Sequence, residues 1–345
     1  FVKVTGIDSV NPEDFTAWVI HSDLAVTGRM ETSNPKVNRL IQNAFWGQIG
    51  NFVDVPTDCP QRDERMGWTG DAHVFAPTAC FNMYTPAFYD KFLYDMVLEQ
   101  RELGGSVPFV VPDVLNQIAK MRGKNTGFPE EHGSCAWGDA ATGIPWTLFE
   151  FYGDRDMLSR HYENMKRWTD YIRSQDETQC SGRRLWQCGF HFADWLALDN
   201  PEPGSCFGGT DPYYIASAYY YFSARATARA AEALGNEQDR AEYDALADQV
   251  RDAFRREFFT PTGRIAEPTQ TAMIMALHLG LCPEEARERL KKDLRQKIAA
   301  RKDHLDTGFV GTYYILRALT DNGMGDVAYT LLLNEDFPSW LYEVN

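Results

Sequence analysis

The chain has 345 residues, of which 44% are apolar and 24% are charged, so it is long enough to bury a large core and has an ordinary globular composition. Its formal net charge of -15 and the lack of a basic run with interleaved aromatics argue against a nucleic-acid partner. The same charge disfavours an anionic membrane surface, and no apolar run reaches transmembrane length.

Two β-rich runs, residues 1–6 and 17–21, open the chain and are separated by Asn11-Pro12. Two such runs have too few partners to form a sheet by themselves. The sequence therefore predicts that residues 1–32 are a β-strand remnant of a β domain that lies upstream, and that Phe1 is not the native start.

From residue 33 onward the pattern becomes helical. Asn34 is a favourable helix N-cap and Pro35 a favourable first helical residue. Ten further helical patterns follow, at residues 72–83, 86–104, 138–152, 156–175, 211–235, 237–258, 269–280, 283–300, 309–322 and 325–334.

Short turns join most of these eleven helices, which makes them antiparallel neighbours. A long series of such hairpins without strands or a sequence repeat predicts an all-α fold, an (α/α)6 toroid of six hairpins over residues 33–345. Six hairpins need twelve helices, so we expect the last hairpin to be incomplete.

Two longer connections, residues 104–137 and 180–210, interrupt the short turns and are rich in glycine and proline. They carry Trp137, Trp186, Trp195 and His191, and they are too long to be plain linkers. We expect them to surround one mouth of the ring. A single histidine beside aromatic residues is typical of a structural hydrogen-bonding group, so His191 is left out of the site.

The segment at residues 56–71 follows neither helical nor alternating periodicity and is broken by Pro60, Gly67 and Gly70, so it is predicted to be an irregular loop. It concentrates four carboxylates, two arginines and one tryptophan: Asp58, Asp63, Glu64, Asp71, Arg62, Arg65 and Trp68.

Such a loop has the groups that cleavage of a glycosidic bond requires. One carboxylic acid must stay protonated to give its proton to the leaving oxygen, and a second carboxylate must activate water or attack the sugar. Neighbouring carboxylates and Trp68 favour a raised pKa for Glu64, whereas the arginines favour a lowered one. The alternative is a surface loop with capping aspartates and ordinary ion pairs.

No metal site or cofactor is expected. The aspartates of the loop do not match the spacing of a calcium-binding loop, and Glu130-Glu131-His132 is not a His-Glu-x-x-His motif. Seven scattered cysteines without a Cys-x-x-Cys pair predict neither a zinc site nor a full disulfide framework, but free buried thiols. A cytoplasmic location is favoured, with a periplasmic or secreted one left open.

The string from Asp58 to Asp71, Asp-Cys-Pro-Gln-Arg-Asp-Glu-Arg-Met-Gly-Trp-Thr-Gly-Asp, resembles the signature of bacterial α-L-rhamnosidases, glycoside hydrolases with an (α/α)6 catalytic domain. Further motifs resemble the same family in the same order: Trp46-Gly47-Gln48, Val107-Pro108, Val111-Pro112, Trp137-Gly138-Asp139-Ala140, Asp194-Trp195-Leu196, Gly208-Gly209-Thr210-Asp211, Thr269-Gln270-Thr271-Ala272, Thr307-Gly308-Phe309 and Pro338-Ser339-Trp340.

The resemblance implies hydrolysis of terminal α-L-rhamnose with inversion at the anomeric carbon. Glu64 falls on the family's general acid. Asp58, Arg62 and Asp71 fall on positions that hold rhamnose hydroxyls or support the acid, and Trp68 on a wall that packs against the sugar's methyl group. Trp137 and Trp195 are either further walls of the subsite or core tryptophans.

One element of the family pattern is missing from the sequence. The family's catalytic base is a glutamate in a Gly-Ala-Thr-Thr-x-Trp-Glu-x-Trp segment beyond Pro-Ser-Trp, and the 345 residues contain no such segment. Glu343 precedes the expected position and is not assigned this role. Together with the unmatched twelfth helix, this predicts a chain truncated at both ends and with most of its activity lost.

Three functions are compatible with the sequence. The first is an α-L-rhamnosidase acting on a rhamnose-containing glycoside or polysaccharide. The second is another (α/α)6 enzyme, acting on glucosides or unsaturated uronides, although uronate binding needs more basic residues than these loops offer. The third is a non-catalytic sugar-binding remnant. The oligomeric state does not follow from the sequence.

Overall fold

Helices form most of the described structure, a computed structural model that describes residues 3–122, 132–200 and 202–344. No helix in these ranges is long and apolar enough to span a membrane. The α-helices of the described residues are α1 (Pro35–Asn51), α2 (Thr69–Asn82), α3 (Pro86–Glu102), α4 (Val114–Arg122), α5 (Ala140–Tyr152), α6 (Arg155–Thr178), α7 (Pro212–Leu234), α8 (Glu237–Phe258), α9 (Gln270–His278), α10 (Arg287–Ala300), α11 (Phe309–Asp321) and α12 (Gly325–Leu333).

The helix ends carry the caps that the sequence predicts. The side chain of Asn34 accepts hydrogen bonds from the amides of Lys36 and Val37 at the start of α1. Helices α5 and α7 end at Gly153 and Gly235, whose φ angles of 64° and 79° lie in the left-handed region that glycine adopts without strain.

The helices form two layers. Helices α5, α7 and α9 are buried along almost their whole length, whereas α10 buries only a stripe of three residues. Successive members of the inner series, α2, α5, α7, α9 and α11, pack against one another, and α3, α6, α8, α10 and α12 each pack against neighbours from the outside. The all-α six-hairpin fold is therefore confirmed.

The inner series leaves a groove between its two end members, α2 and α11. Val74, Phe75 and Thr78 line one side of the groove, and Thr312 and Tyr313 line the other. Its volume is about 850 Å³. No helix of the described residues fills it.

One prediction at the element level is wrong, and one helix was not predicted. In the described part of the first segment, residues 3–32, the chain forms no strand, and Val26 makes only an isolated bridge to Met83. No neighbouring strand offers a ladder, and Trp18 and Ile20 remain 82% and 74% exposed. Residues 1–2 lie outside the described residues. Helix α4, which is not among the predicted helical patterns, lies within the connection 104–137.

The prediction of free thiols is also partly wrong. Cys180 and Cys188 form a disulfide that closes a short loop after α6. The remaining five cysteines are free, and four of them are buried. Sequence separation alone does not distinguish such a pair from two isolated thiols, because pairing depends on where the backbone turns.

Candidate active site

In the acidic loop, residues 57–68, the first carboxylate, Asp58, is hydrogen-bonded to Met66 near the other end of the loop. Asp58 accepts a hydrogen bond from the Met66 amide at 3.1 Å, and the amide of Asp58 donates to the Met66 carbonyl at 3.1 Å. Gly67 follows, and a Cβ at that position would lie 2.2 Å from the Val111 carbonyl oxygen. Only glycine allows the loop to pass so close to the neighbouring backbone, and this fixes the start of α2.

Arg62 joins two of the predicted carboxylates. Its guanidinium lies 3.0 Å from Asp58 Oδ2 and 3.1 Å from Glu64 Oε2. The Asp58 side chain is nearly buried, whereas that of Glu64 is one-third exposed and faces the cavity described below. Asp63 points away from this group into solvent, where it meets only Arg65 at 3.5 Å. The acidic cluster therefore has three members rather than four.

Asp71 lies in the first turn of α2, behind the acidic loop. Burial raises the pKa of its carboxyl to about 7, and the charges of Asp58 and Glu64 act in the same direction, against a smaller opposing contribution from Arg62. The sequence left open whether the carboxylates or the arginine would dominate in this cluster. For Asp71, burial and the carboxylates dominate, and the site holds a carboxyl group that is half protonated near neutral pH.

Aromatic side chains form the opposite side of a cavity of about 380 Å³. Its volume is within the range of small-ligand pockets. The charged members Asp58, Arg62, Glu64 and Asp71 face the predicted tryptophans across this space. The residues that line it are Asp58, Arg62, Glu64, Trp68, Asp71, Trp137, Phe192, Trp195, Leu196 and Phe309.

Trp137 is both a core residue and a wall of the cavity. It is 3% exposed, and its ring packs against Phe309 with centroids 5.1 Å apart and against Phe192 at 4.5 Å. Asp139 fixes the turn that presents it: the carboxylate accepts hydrogen bonds from the Ala136 amide at 2.7 Å and from Trp168 Nε1 at 2.9 Å. The two interpretations given for Trp137 from the sequence thus hold together.

The two long connections, residues 104–137 and 180–210, do meet the acidic loop at one mouth. However, not all of their aromatic residues line the cavity. Trp186 is buried beneath the site, edge-on to Trp168. His191 is buried as well, accepts a hydrogen bond from the Cys135 amide at 3.1 Å and lies 3.1 Å from the Cys188 carbonyl. Burial lowers its pKa to about 4, so it is a neutral structural group.

Three cavity residues were not assigned to the site from the sequence: Phe192, Leu196 and Phe309. Leu196 and Phe309 belong to motifs that resemble the family, Asp194-Trp195-Leu196 and Thr307-Gly308-Phe309, but apolar side chains in a motif read as core positions. Phe192 had no such signal. Its place in the site depends on the path of the chain between two buried residues, His191 and Asp194.

Asp58, Cys59 and Glu64 present potential metal-ligand atoms within 4.8 Å of one another. The guanidinium of Arg62 bridges the carboxylates of Asp58 and Glu64 and offsets one of their two negative charges. Of the other run considered for metal binding, Glu130 and Glu131 lie outside the described residues, and His132 contacts Ser106 at 2.9 Å.

A two-layer helical toroid with carboxylates facing tryptophans across a sugar-sized cavity defines a glycosidase domain of the six-hairpin class. The sequence profile of the bacterial alpha-L-rhamnosidase 6 hairpin glycosidase domain matches residues 25–345, and the chain belongs to this family.

Curated and solved relatives agree with that assignment. An alpha-L-rhamnosidase of Formosa agariphila is 39% identical over 350 residues, covering the whole chain and 35% of the relative. The crystal structure of Streptomyces avermitilis alpha-L-rhamnosidase complexed with L-rhamnose is 36% identical with a TM-score of 0.81, over 94% of this chain and 29% of that one. Native alpha-L-rhamnosidase from Aspergillus terreus is 34% identical with a TM-score of 0.84, over 94% and 36%.

The chain spans about a third of the length of the relatives that it matches.

Proposed function

We propose that this domain binds a terminal, non-reducing α-L-rhamnose in the 380 Å³ cavity and carries the general acid for its hydrolytic release with inversion. The observation that carries the proposal is the placement of Glu64, Arg62 and Asp71 opposite Trp137 and Trp195 around one cavity, in a member of this family. The substrate is a rhamnose-containing glycoside or polysaccharide.

Glu64 takes the role of acid because it combines access with an anchored position. Its carboxyl faces the cavity and is one-third exposed, so a leaving oxygen can reach it. Arg62 fixes it through Nε at 3.2 Å. Asp58 is less suited to the role, because its two oxygens are already engaged by Met66 and Arg62.

The charged side of the cavity favours a neutral sugar. Three carboxylates and a single basic residue, Arg62, line it. A uronate would bring a further carboxylate beside Asp58, and the one cation of the cavity, Arg62, is already paired with Asp58 and Glu64, which costs binding energy. The 6-deoxy carbon of rhamnose, by contrast, suits the apolar wall of Trp68 and Phe192.

An inverting mechanism also needs a base that deprotonates the attacking water, and the two carboxyl groups are then about 6.5–9.5 Å apart. The resemblance places this base in a Trp-Glu-x-Trp segment that the 345 residues do not contain. The proposal therefore gives the role to no residue of this chain, and Glu343, which lines the neighbouring groove, is not assigned to it.

Binding of L-rhamnose by calorimetry, together with hydrolysis of two rhamnosides by the chain extended with a Trp-Glu-x-Trp segment after Asn345, tests the proposal. Glu64→Gln is expected to leave the Kd for L-rhamnose within about threefold of its original value and to reduce cleavage of methyl α-L-rhamnoside by about 10²–10⁴-fold. The loss with 4-nitrophenyl α-L-rhamnoside should be smaller, since its leaving group needs less protonation.

The matched control is Glu163→Gln, which alters an ion-paired glutamate on α6 away from the cavity. NMR of the released sugar should show the β-anomer first. Equal losses for both rhamnosides in Glu64→Gln exclude Glu64 as the acid. Rhamnose binding without any turnover, even when a Trp-Glu-x-Trp segment is supplied after Asn345, identifies a sugar-binding domain instead, and no binding removes the proposal.

A further inference from the structure

We infer that Asp194 is a positioning residue of the rhamnose site, which holds the Trp195 and Phe309 walls of the cavity in place from beneath. The inference rests on the proposed function. Asp194 itself does not line the cavity, is 1% exposed and cannot touch a sugar. Its effect passes through the backbone of the two segments that it joins.

The carboxylate of Asp194 is fully engaged with segments far away in the sequence. Oδ1 accepts hydrogen bonds from the amides of Val310 at 2.8 Å and Gly311 at 3.0 Å. Oδ2 accepts from the Gly308 amide at 2.9 Å and from Thr271 Oγ1 at 2.5 Å. Three of these four donors are backbone amides at the N-terminus of α11, where a helix has unpaired N–H groups and favours a negative charge.

The same contact aligns the two aromatic walls. The amide of Phe309 donates to the Trp195 carbonyl at 2.8 Å, directly between the Asp194 bonds to Gly308 and Val310. Each of these aromatic residues is therefore adjacent in sequence to a group that Asp194 holds. A shift of the carboxylate moves both walls relative to the acidic loop.

The segment that contains Trp195 and the segment that contains Gly308 are packed very closely. A Cβ at Gly308 would lie 2.3 Å from the Trp195 carbonyl oxygen and 2.5 Å from the Ala197 amide nitrogen. Ala193 and Leu196, on either side of the Asp194-Trp195 pair, have φ angles of 54° and 60°. Such left-handed conformations of non-glycine residues persist only where the surroundings enforce them.

The first experiment needs no ligand. Asp194→Asn retains the size of the side chain but turns one acceptor oxygen into a donor, so two of the four bonds are lost. Amide hydrogen exchange at residues 308–311 should become faster in this variant. Asp176→Asn is the control, because Asp176 is fully buried, accepts a hydrogen bond from the Arg184 amide and does not line the 380 Å³ cavity. Unchanged exchange at 308–311 in Asp194→Asn contradicts the inference.

The second experiment measures the Kd of L-rhamnose. Asp194→Asn should weaken binding by about tenfold or more, as expected when contact groups are displaced by about 1 Å, whereas Asp176→Asn should stay within about twofold of the unmodified chain. In a Trp195→Ala/Phe309→Ala background the same Asp194→Asn change should cost less than about twofold, because the side chains it positions are gone. Additive losses there, or unchanged affinity in a folded Asp194→Asn, overturn the inference.

A second variant covers the case in which Asp194→Asn fails to fold. Gly308→Ala forces the same two segments apart and should reproduce the loss of rhamnose affinity, whereas Gly47→Ala, which meets no atom within 4 Å, should not. If the unmodified chain does not bind L-rhamnose, the proposed function fails, and the exchange experiment still decides whether Asp194 holds the two segments.

Discussion

The two sides of the cavity are held in place by different means. The acidic loop lies at the surface, and its charged groups are linked by ion pairs in which Arg62 is more than half exposed. The aromatic wall rests on two buried carboxylates, Asp139 and Asp194, each of which accepts at least three hydrogen bonds, two or more of them from distant segments. The acidic loop is therefore linked through solvent-exposed ion pairs, and the aromatic wall through buried hydrogen bonds.

This difference has an energetic consequence. Exposed ion pairs are screened by solvent and contribute little to stability, whereas buried hydrogen-bonded groups and packed rings contribute several kcal/mol. Variants of the loop should therefore change binding or catalysis without unfolding the chain. Variants of the wall should change both together.

Trp137→Ala should have the largest effect on stability. Removing a ring that packs against Phe309 and Phe192 leaves a cavity in the core, and the free energy of unfolding should fall by about 3–5 kcal/mol. Chemical denaturation measures this loss. Trp18→Ala, at a position that is 82% exposed, is the control and should change stability little. Equal losses for the two variants would remove the distinction between wall and surface.

The pH dependence of the free energy of unfolding gives a second test of this comparison. Burial raises the pKa of Asp71 from 3.8 to about 7 in the folded chain. The folded state then holds this proton more tightly than the unfolded state, so the stabilisation is complete below about pH 4 and is lost as the pH rises to about 7. Asp71→Asn should be more stable than the unmodified chain at pH 8, by roughly 2–4 kcal/mol at about 1.4 kcal/mol per pKa unit.

The difference between Asp71→Asn and the unmodified chain should vanish near pH 4, where both carry a neutral group. Thermal melts at both pH values provide the measurement. Asp63→Asn, which changes a fully exposed side chain, serves as the control. A stability gain of the same size at both pH values would attribute the effect to packing rather than to the proton.

Arg62→Gln should act on the ligand and not on the fold. The substitution removes the cation that joins Asp58 and Glu64, so the two carboxylates repel each other and the loop loses its geometry. We expect the Kd for L-rhamnose to rise about tenfold, with the melting temperature unchanged within about 2 °C, since exposed ion pairs stabilise little. A large drop in melting temperature would show that the loop, too, is part of the core.

Asp63→Ser should have the smallest effect. Its side chain is fully exposed and meets only Arg65 at 3.5 Å, although the sequence places it next to the proposed acid. Both the Kd for L-rhamnose and the melting temperature should remain within error of the unmodified chain. A measurable loss of binding would return Asp63 to the site.

The sequence correctly predicted the structural features that depend only on residues close together in the chain. Caps such as Asn34, the loop that contains Glu64, and the helical periodicity of residues 33–334 are all local features, and the structure has each of them. It was a poor guide to the strands predicted in residues 1–32, because a strand forms only when a partner lies beside it.

By itself, then, the amino-acid sequence determined the all-α six-hairpin class and the residues of the acidic loop, since helix periodicity and a contiguous motif are written along the chain. Only the tertiary structure decided that Asp63 leaves the cluster, that Trp186 stays in the core and that Phe192 and Phe309 join the wall. The places of Phe192 and Phe309 depend on contacts between segments more than 100 residues apart, as between Phe192 and Trp68 and between Phe309 and Trp137. Such contacts arise from how the helices pack, and no local pattern encodes them.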